Sequence, residues 1–265
     1  MTADHEAIAA ELFAQHDTRV RFRPLEDAQR AGGLEDAYRI QEKLQDLFIA
    51  DGAGAIAGYK VALTSAAMQA FVGVDRPLAG AIFASRIHAT LATLDLDAFQ
   101  RLGIECEIAV RLATDLPGRT GGHDAESVAP AVGAVMPAFE LIEDRDADYD
   151  TIDAFSLVAD NCWNAGIVTG PAREDWRALD LLAARGLLRV NNRSVGEGVG
   201  ADALGSPLAA LAWLADLCAA QDRPLQRGMI VMTGSIVKTY FPAPGERLDF
   251  SVEGLGQVEL RLRDR

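Results

Sequence analysis

Cysteine is scarce in this chain, with three among 265 residues, at positions 106, 162 and 218. They form no CxxC pair and leave an odd count, which argues against a disulfide framework or zinc ribbon and for a reducing, cytoplasmic compartment. Cations are also in deficit. Lys and Arg number 25 against 39 Asp and Glu, a formal charge of −14, and no basic cluster interrupts that balance. Nucleic-acid binding needs a basic face, so that class is excluded. An acidic field also repels organic acids, so a site for one must carry its own local cation. The four histidines, His5, His16, His88 and His123, are read as surface residues. No apolar run is long enough to span a membrane; the longest, over 208–220, is interrupted by Trp213 and Asp216. The opening Met1-Thr2-Ala3-Asp4-His5-Glu6 has neither a basic nor an apolar leader segment, so no signal peptide is expected.

Apolar residues make up 49% of the chain, ample for a sizeable core, and 24 Gly and 10 Pro imply many turns. The first fifty residues read as helical. Ile8, Leu12 and Phe13 recur at helical spacing, and Ala37, Ile40, Leu44, Leu47 and Phe48 share one face of a helix over 34–50, stopped by Asp51-Gly52. Strands are expected over 55–63, 80–88, 104–113, 136–142, 160–168, 229–233, 247–252 and 257–262. A short helix is expected over 127–134. Asn191-Asn192 predicts a tight hairpin turn, and Ser206-Pro207 starts an amphipathic helix to 220.

The most informative stretch is Gly103-Ile104-Glu105-Cys106-Glu107-Ile108-Ala109-Val110. A strand points alternate residues to opposite faces, so Glu105 and Glu107 sit side by side, with Cys106 behind them. Ionised Glu is rarely buried unless it is paired or holds a metal. Either this is an edge strand with its acids in water, or a hard divalent cation neutralises the pair. A third acid, Glu140, stands in similar apolar company in Met136-Pro137-Ala138-Phe139-Glu140-Leu141-Ile142. In Gly58-Tyr59-Lys60-Val61-Ala62-Leu63-Thr64-Ser65 a lone Lys60 is either an exposed face residue or a desolvated amine whose lowered pKa would let it carry protons. Thr233-Gly234-Ser235 follows an apolar strand, where backbone N–H groups can hold a carboxylate. Trp163, Trp176 and Trp213 are read as packing residues, and the Asp-rich run over 144–150 as a solvated loop.

Taken in order, Gly58-Tyr59-Lys60-Val61-x-Leu63-Thr64-Ser65, Glu105-x-Glu107-Ile108-Ala109, Pro137-Ala138-x-Glu140, Ala159-Asp160-Asn161 and Thr233-Gly234-Ser235 resemble the 2-keto-4-pentenoate hydratase and 4-oxalocrotonate decarboxylase family of the fumarylacetoacetate hydrolase superfamily. The resemblance covers nearly the whole chain. It implies an α+β fold, a mixed β-roll or barrel with a small helical N-terminal region, divided as 1–75 (helices plus the lysine strand) and 76–265 (the β-rich, metal-binding catalytic part). It implies Mg²⁺ (or Mn²⁺) on Glu105, Glu107 and Glu140, with Lys60 and Asp75 as catalytic candidates. Thr64, Asn161, Ser235 and Lys238 are the candidate substrate contacts; Lys238, in a stretch that departs from the family, is either a solvated surface charge or the partner of a second substrate carboxylate. The implied partner is a small 2-oxo or 2-hydroxydienoic acid, and the implied assembly a homo-oligomer, alone or with a sister enzyme of the pathway.

The implied activity is hydration of 2-hydroxypenta-2,4-dienoate, or a close analogue, to a 4-hydroxy-2-keto acid in aromatic-compound catabolism. Decarboxylation of a 4-oxalocrotonate-type acid is the alternative. A C–C hydrolase of acylpyruvate type would need a His–Glu pair after the lysine strand, and no histidine stands there. A non-catalytic oxo-acid binder is the remaining reading. Ala62 departs from the glycine usual in the family's lysine strand, and the stretch from Ser235 to Phe241 is bulkier than expected.

Overall fold

The computed structural model describes residues 4–30 and 32–263, so residues 1–3, read above for a leader segment, lie outside it. In chain order the elements are α1 (His5–Asp17), α2 (Gly33–Phe48), β1 (Ile56–Ala62), α3 (Ala66–Phe71), β2 (Leu78–Phe83), β3 (Ile87–Ala89), β4 (Ala92–Leu94), β5 (Leu102–Leu112), α4 (Ala125–Val128) and β6 (Val132–Glu143). There follow α5 (Ala154–Ala159), β7 (Asn164–Thr169), β8 (Arg185–Val190), β9 (Arg193–Val199), α6 (Pro207–Ala220), β10 (Ile230–Tyr240), β11 (Arg247–Val252) and β12 (Gly256–Leu262).

Two mixed sheets organise these elements. The larger runs β2-β1-β10-β5-β6-β7-β3 and the smaller β4-β12-β11-β8-β9. β2 and β3 do not pair, so the larger sheet is an open roll, not a closed barrel. This is the expected α+β architecture. Period-two alternation divides its central strands between two apolar environments. Ile104, Cys106, Ile108 and Val110 of β5 face the main core, where Phe139 meets Phe250 of the smaller sheet at a ring separation of 6.2 Å. The opposite face carries Glu105 and Glu107, then Ala109 within a smaller cluster with Ile82, Met136, Ala138, Ile167 and Met232. Phe139 is fully buried, so truncation to Ala would cost about 3–5 kcal/mol.

The helical N-terminal region docks through α2, which packs on α1 and α5. Its apolar stripe buries Ala37, Ile40, Leu44 and Phe48. Gly52, at φ 96°, ends the irregular turn beyond it, a backbone state that suits glycine. Asn191 and Asn192 have φ of 50° and 66°, the left-handed pair that a two-residue hairpin between β8 and β9 requires. α6 starts with the Ser206 hydroxyl accepting the Leu208 N–H. Gly200–Ala220 is apolar and long enough for a membrane span by length and composition alone. Its regular part, α6, has 14 residues, about 21 Å against the ~30 Å of a bilayer core, and buries Leu211, Leu214 and Ala215.

Four expectations shift. The strand expected over 80–88 is two, β2 and β3, split by a 3-10 turn at Ala84–Arg86 and placed at opposite edges of the larger sheet. The helix expected over 127–134 is α4, capped by Asp124 and Ser127, followed by a 3-10 turn over Ala129–Ala131 before β6 takes the chain. The strand expected over 160–168 starts only at Asn164, because a 3-10 turn at Asn161–Trp163 precedes it. α5, before that turn, went unanticipated. All six of its residues are buried, so it shows no amphipathic period. Finally, the strand expected over 229–233 continues as β10 to Tyr240 through three register shifts against β5.

Candidate metal and active site

β5 and β6 are antiparallel, with Glu105 directly opposite Glu140. Glu107 lies two residues on along the same face, and the three side chains offer carboxylate oxygens all within 4.8 Å of one another. Glu107 and Glu140 are fully buried. The acidic-edge reading is therefore excluded by position: β5 lies in mid-sheet between β10 and β6.

One oxygen of each glutamate is held by the chain. Gly234 N–H donates to Glu107 Oε2 at 2.7 Å, Asn164 Nδ2 to Glu140 Oε1 at 2.9 Å, and Thr239 Oγ1 to Glu105 Oε1 at 2.8 Å. Lys60 Nζ reaches Glu140 Oε1 at 3.2 Å, and Lys60 is 3% exposed. Glu107 Oε1 and Glu140 Oε2 are buried without a hydrogen-bond partner. With all three carboxylates ionised against one ammonium, the excess would be two negative charges, with Glu107 and Glu140 fully buried and Glu105 partly so. Burial, followed by the charges of Glu140 and Glu105, pushes the Glu107 carboxyl well above its ordinary range. Burial raises Glu140 too, against the pull of Lys60. Orphan oxygens, oxygen-only donors and a double negative excess fit a hard divalent cation.

Lys60 differs from its expectation. Burial alone would push its ammonium down, but Glu140, with Glu105 and Glu107 behind it, outweighs burial and holds it above its ordinary value. Without a cation at the carboxylates, the amine stays charged.

A cavity of about 100 Å³ opens beside Lys60 and Glu105, walled by Leu63, Met68, Leu78 and Trp163. Ala62 also lines it. The other sequence candidates are placed elsewhere. Asp75 is exposed and bonded to Arg76 Nε at 2.9 Å. Lys238 is exposed on β10, while its neighbour Thr239 faces the site. Asn161 spends its amide on β2, donating to Ala81 O at 2.9 Å and accepting from Ala81 N at 2.7 Å. Ser235 Oγ accepts the Cys106 N–H at 3.0 Å and donates to Val237 O at 2.6 Å, filling a bulge of β10. Thr64 packs beside Gly234, where an added Cβ would lie 2.3 Å from its methyl; with φ at 106°, that position demands glycine.

The carboxylate that the Thr233-Gly234-Ser235 segment holds is thus Glu107's own. Three residues escaped the sequence reading: Thr239, Asn164 and Trp163. Trp163 is 5% exposed, lines the cavity, and its indole N–H has no partner. It closes a run of three left-handed residues, Asn161, Cys162 and Trp163, at φ 51°, 48° and 59°. Such strain clusters at functional sites. Nor is the acidic run over 144–150 fully solvated, for Asp144 and Arg145 are both buried. His16 is half-buried and bonded to Asp160 at 2.6 Å, not a free surface residue.

Comparison with known proteins places this geometry. The fumarylacetoacetate (FAA) hydrolase C-terminal family matches residues 74–263, and the chain belongs to that family. It is 34% identical to the 2-keto-4-pentenoate hydratase of Paraburkholderia phymatum over 256 residues, 96% of this chain and 95% of that protein. It is 33% identical to a 4-oxalocrotonate decarboxylase of Pseudomonas putida over 227 residues, 86% of this chain and 84% of that one. Among solved structures, the 4-oxalocrotonate decarboxylase from Pseudomonas putida G7, complexed with magnesium and adipate, superposes with a TM-score of 0.90 at 28% identity, covering 97% of each chain.

Proposed function

We propose that this chain is a divalent-metal-dependent hydratase that adds water to 2-hydroxypenta-2,4-dienoate, or a close analogue, to give a 4-hydroxy-2-keto acid. The observation that carries it is the pair of buried, unpartnered oxygens on Glu107 and Glu140 beside Lys60, which lines a cavity of mostly apolar side chains with Glu105, Tyr149 and Thr239 among them. Mg²⁺ or Mn²⁺ held by Glu105, Glu107 and Glu140 would supply Lewis-acid stabilisation of negative charge developing on the substrate's carboxylate and 2-oxygen.

The chain's own residues do the rest. Lys60 holds the proton. Its transfer to C5, with loss of the 2-hydroxyl proton, leaves a 2-oxo-3-enoate; water then adds its oxygen at C4 and a proton at C3. Trp163 donates its free indole N–H to a substrate oxygen. The buried Leu78, Leu157 and Trp163 keep water from the inner wall, which strengthens each electrostatic contact there. The free, buried cysteines 106, 162 and 218 suit a reducing cytoplasm.

The lining favours hydration over decarboxylation of a dicarboxylic acid. Lys60 is the one cation among the described residues that line the cavity, and it already faces Glu140. A second substrate carboxylate there would be desolvated without a partner. The test follows loss of ultraviolet absorbance of 2-hydroxypenta-2,4-dienoate and of 4-oxalocrotonate, each with Mg²⁺ and with EDTA. Metal-dependent loss of the first, with a water-added product, is expected. Faster loss of the second with CO₂ release would make the chain a decarboxylase, and no metal-dependent loss of either would overturn the enzyme reading.

A further inference from the structure

A second cavity, of about 210 Å³, lies between the N-terminal helices and the sheet, lined among others by His16, Arg19, Phe48, Arg86, Arg145 and Asn164. Three guanidinium groups on one small cavity are unexpected in a chain of net charge −14. The one carboxylate lining it, Glu143, is already engaged: its oxygens accept the backbone N–H groups of Gln100 and Arg101 at 3.1 Å and of Arg145 at 3.3 Å.

Arg145 is incompletely satisfied. It is 1% exposed. Its Nη1 meets Asp160 Oδ2 at 3.0 Å and His16 Nε2 at 2.8 Å, but its Nε and Nη2 are buried with no hydrogen-bond partner. A buried guanidinium with two idle donors is costly, because each N–H has given up water and gained nothing. Arg86 stacks over Phe48 at 4.7 Å and Phe83 at 5.2 Å, which orients its planar fork. Arg19, anchored by Nη1 to the Asp97 carbonyl at 2.6 Å, completes the ring.

We propose that this cavity is a second anion site, separate from the glutamate cluster, built to take a small oxyanion such as inorganic phosphate or a short carboxylate. Forked guanidinium donors match the paired oxygens of either group. Phe48, Ala98, Phe99 and Ala165 line the remaining wall. The inner wall is shared with the glutamate cluster through Asn164, whose Nδ2 holds Glu140 at 2.9 Å while its Oδ1 has no partner. An occupant is thus one side chain away from a metal-site carboxylate.

The test is calorimetric titration of the full-length, EDTA-treated protein with sodium phosphate and, separately, with pyruvate, at constant ionic strength. Saturable binding of at least one anion is expected, and the tighter one identifies the source. Arg145→Ala would strip Asp160 of its buried partner and endanger the fold, so the informative variants are Arg86→Gln and Arg19→Gln, whose side chains reach solvent. Each should weaken binding about tenfold or more, the loss of a charge-assisted hydrogen bond, while Lys60→Met leaves it unchanged. The proposal is overturned if neither anion binds saturably at millimolar concentration. It is equally overturned if both arginine variants bind like the parent, or if Lys60→Met abolishes binding, which would place the anion at the glutamate cluster. Because no turnover is measured, this result is independent of which reaction the metal site performs.

Discussion

Two acidic centres in this molecule are equally buried and behave in opposite ways. Asp160, at 0% exposure, meets His16 at 2.6 Å and Arg145 at 3.0 Å. Burial pushes its carboxyl up, but those two neighbours outweigh burial and hold it below its ordinary value. Glu107 and Glu140 are also at 0% exposure, yet their carboxyls are pushed up, because burial is joined by the charge of other acids. The difference lies in what the chain supplies. Around Asp160 it provides the counter-charges itself, so that centre fastens α1 to the loop after β6. Around the glutamates it provides one lysine for three acids, so the balance must come from outside.

The largest effect should follow from neutralising a glutamate. Glu107→Gln should lower turnover at least about a thousandfold, the several kcal/mol that a bound metal contributes to transition-state stabilisation. The same change should stabilise the protein in EDTA, since it removes a repelled, fully buried charge. Its melting temperature should rise by roughly a few degrees. A loss of stability on that substitution, measured by scanning fluorimetry, would mean the carboxylates are not in conflict. The pH dependence has a definite sign. A carboxyl raised in the folded state binds more protons there than in the unfolded chain, so stability falls as pH rises from the ordinary Glu value of 4.5 upward. In EDTA the melting temperature should therefore decline with pH above that value, and saturating Mg²⁺ should remove the decline.

Asp160→Asn should do the reverse. It leaves Arg145 buried without its counter-charge, at a cost of about 3–5 kcal/mol, and should lower the melting temperature by roughly 10 °C with or without metal. The wild-type contribution is present above the ordinary Asp value of 3.8 and is lost as pH falls through the lower folded value. That acid-side loss should be diminished in the variant. Metal-dependent behaviour of Asp160→Asn in the melting curves would erase the distinction between the two centres.

Smaller still is the expected effect of Trp163→Phe. It keeps most of the packing against Phe22, whose ring centroid lies 5.0 Å away, and removes only the unpartnered indole N–H. If that donor meets a substrate oxygen, kcat/KM should fall about tenfold, in line with a hydrogen bond to a charged group. Unchanged kcat/KM would return Trp163 to the packing role that its sequence context suggested.

The same contrast explains what was legible in the sequence. Glu105 and Glu107 could be put on one face because β5 pairs with β6 without interruption from Leu102 to Arg111, so period two holds throughout. The hairpin at Asn191 and the start of α6 were legible because local turn and cap chemistry decides them. β10 was not legible in this way. Its register against β5 shifts between Met232 and Ser235, again before Val237, and again before Tyr240. Each bulge re-aims the side chains beyond it; Gly234, at φ 106°, marks the first shift, but no residue type marks the later two. The Asp160 centre was hidden for another reason. Its members stand at positions 16, 145 and 160, and only tertiary packing brings a helix, a loop and a helix end together.

Lys238 and Thr239 are the sharpest case of that hidden register, and Lys238 carries the smallest predicted effect. The last register shift, between Val237 and Tyr240, spans both residues, so strict alternation does not set their facing and the contacts must. Thr239 Oγ1 donates to Glu105 at 2.8 Å, which leaves Lys238 on the outer, exposed face. Exposed substitutions away from buried partners usually change stability by less than about 0.5 kcal/mol. Lys238→Ala should accordingly leave both the melting temperature and the ratio of rates on mono- and dicarboxylic substrates within about twofold of the parent. Thr239→Val, similar in size but without the donor, should weaken metal affinity about 10–100-fold through the loosened Glu105. Were Lys238→Ala to shift substrate preference while Thr239→Val left metal affinity untouched, the facing of β10 within its last register shift would be the reverse of the one described.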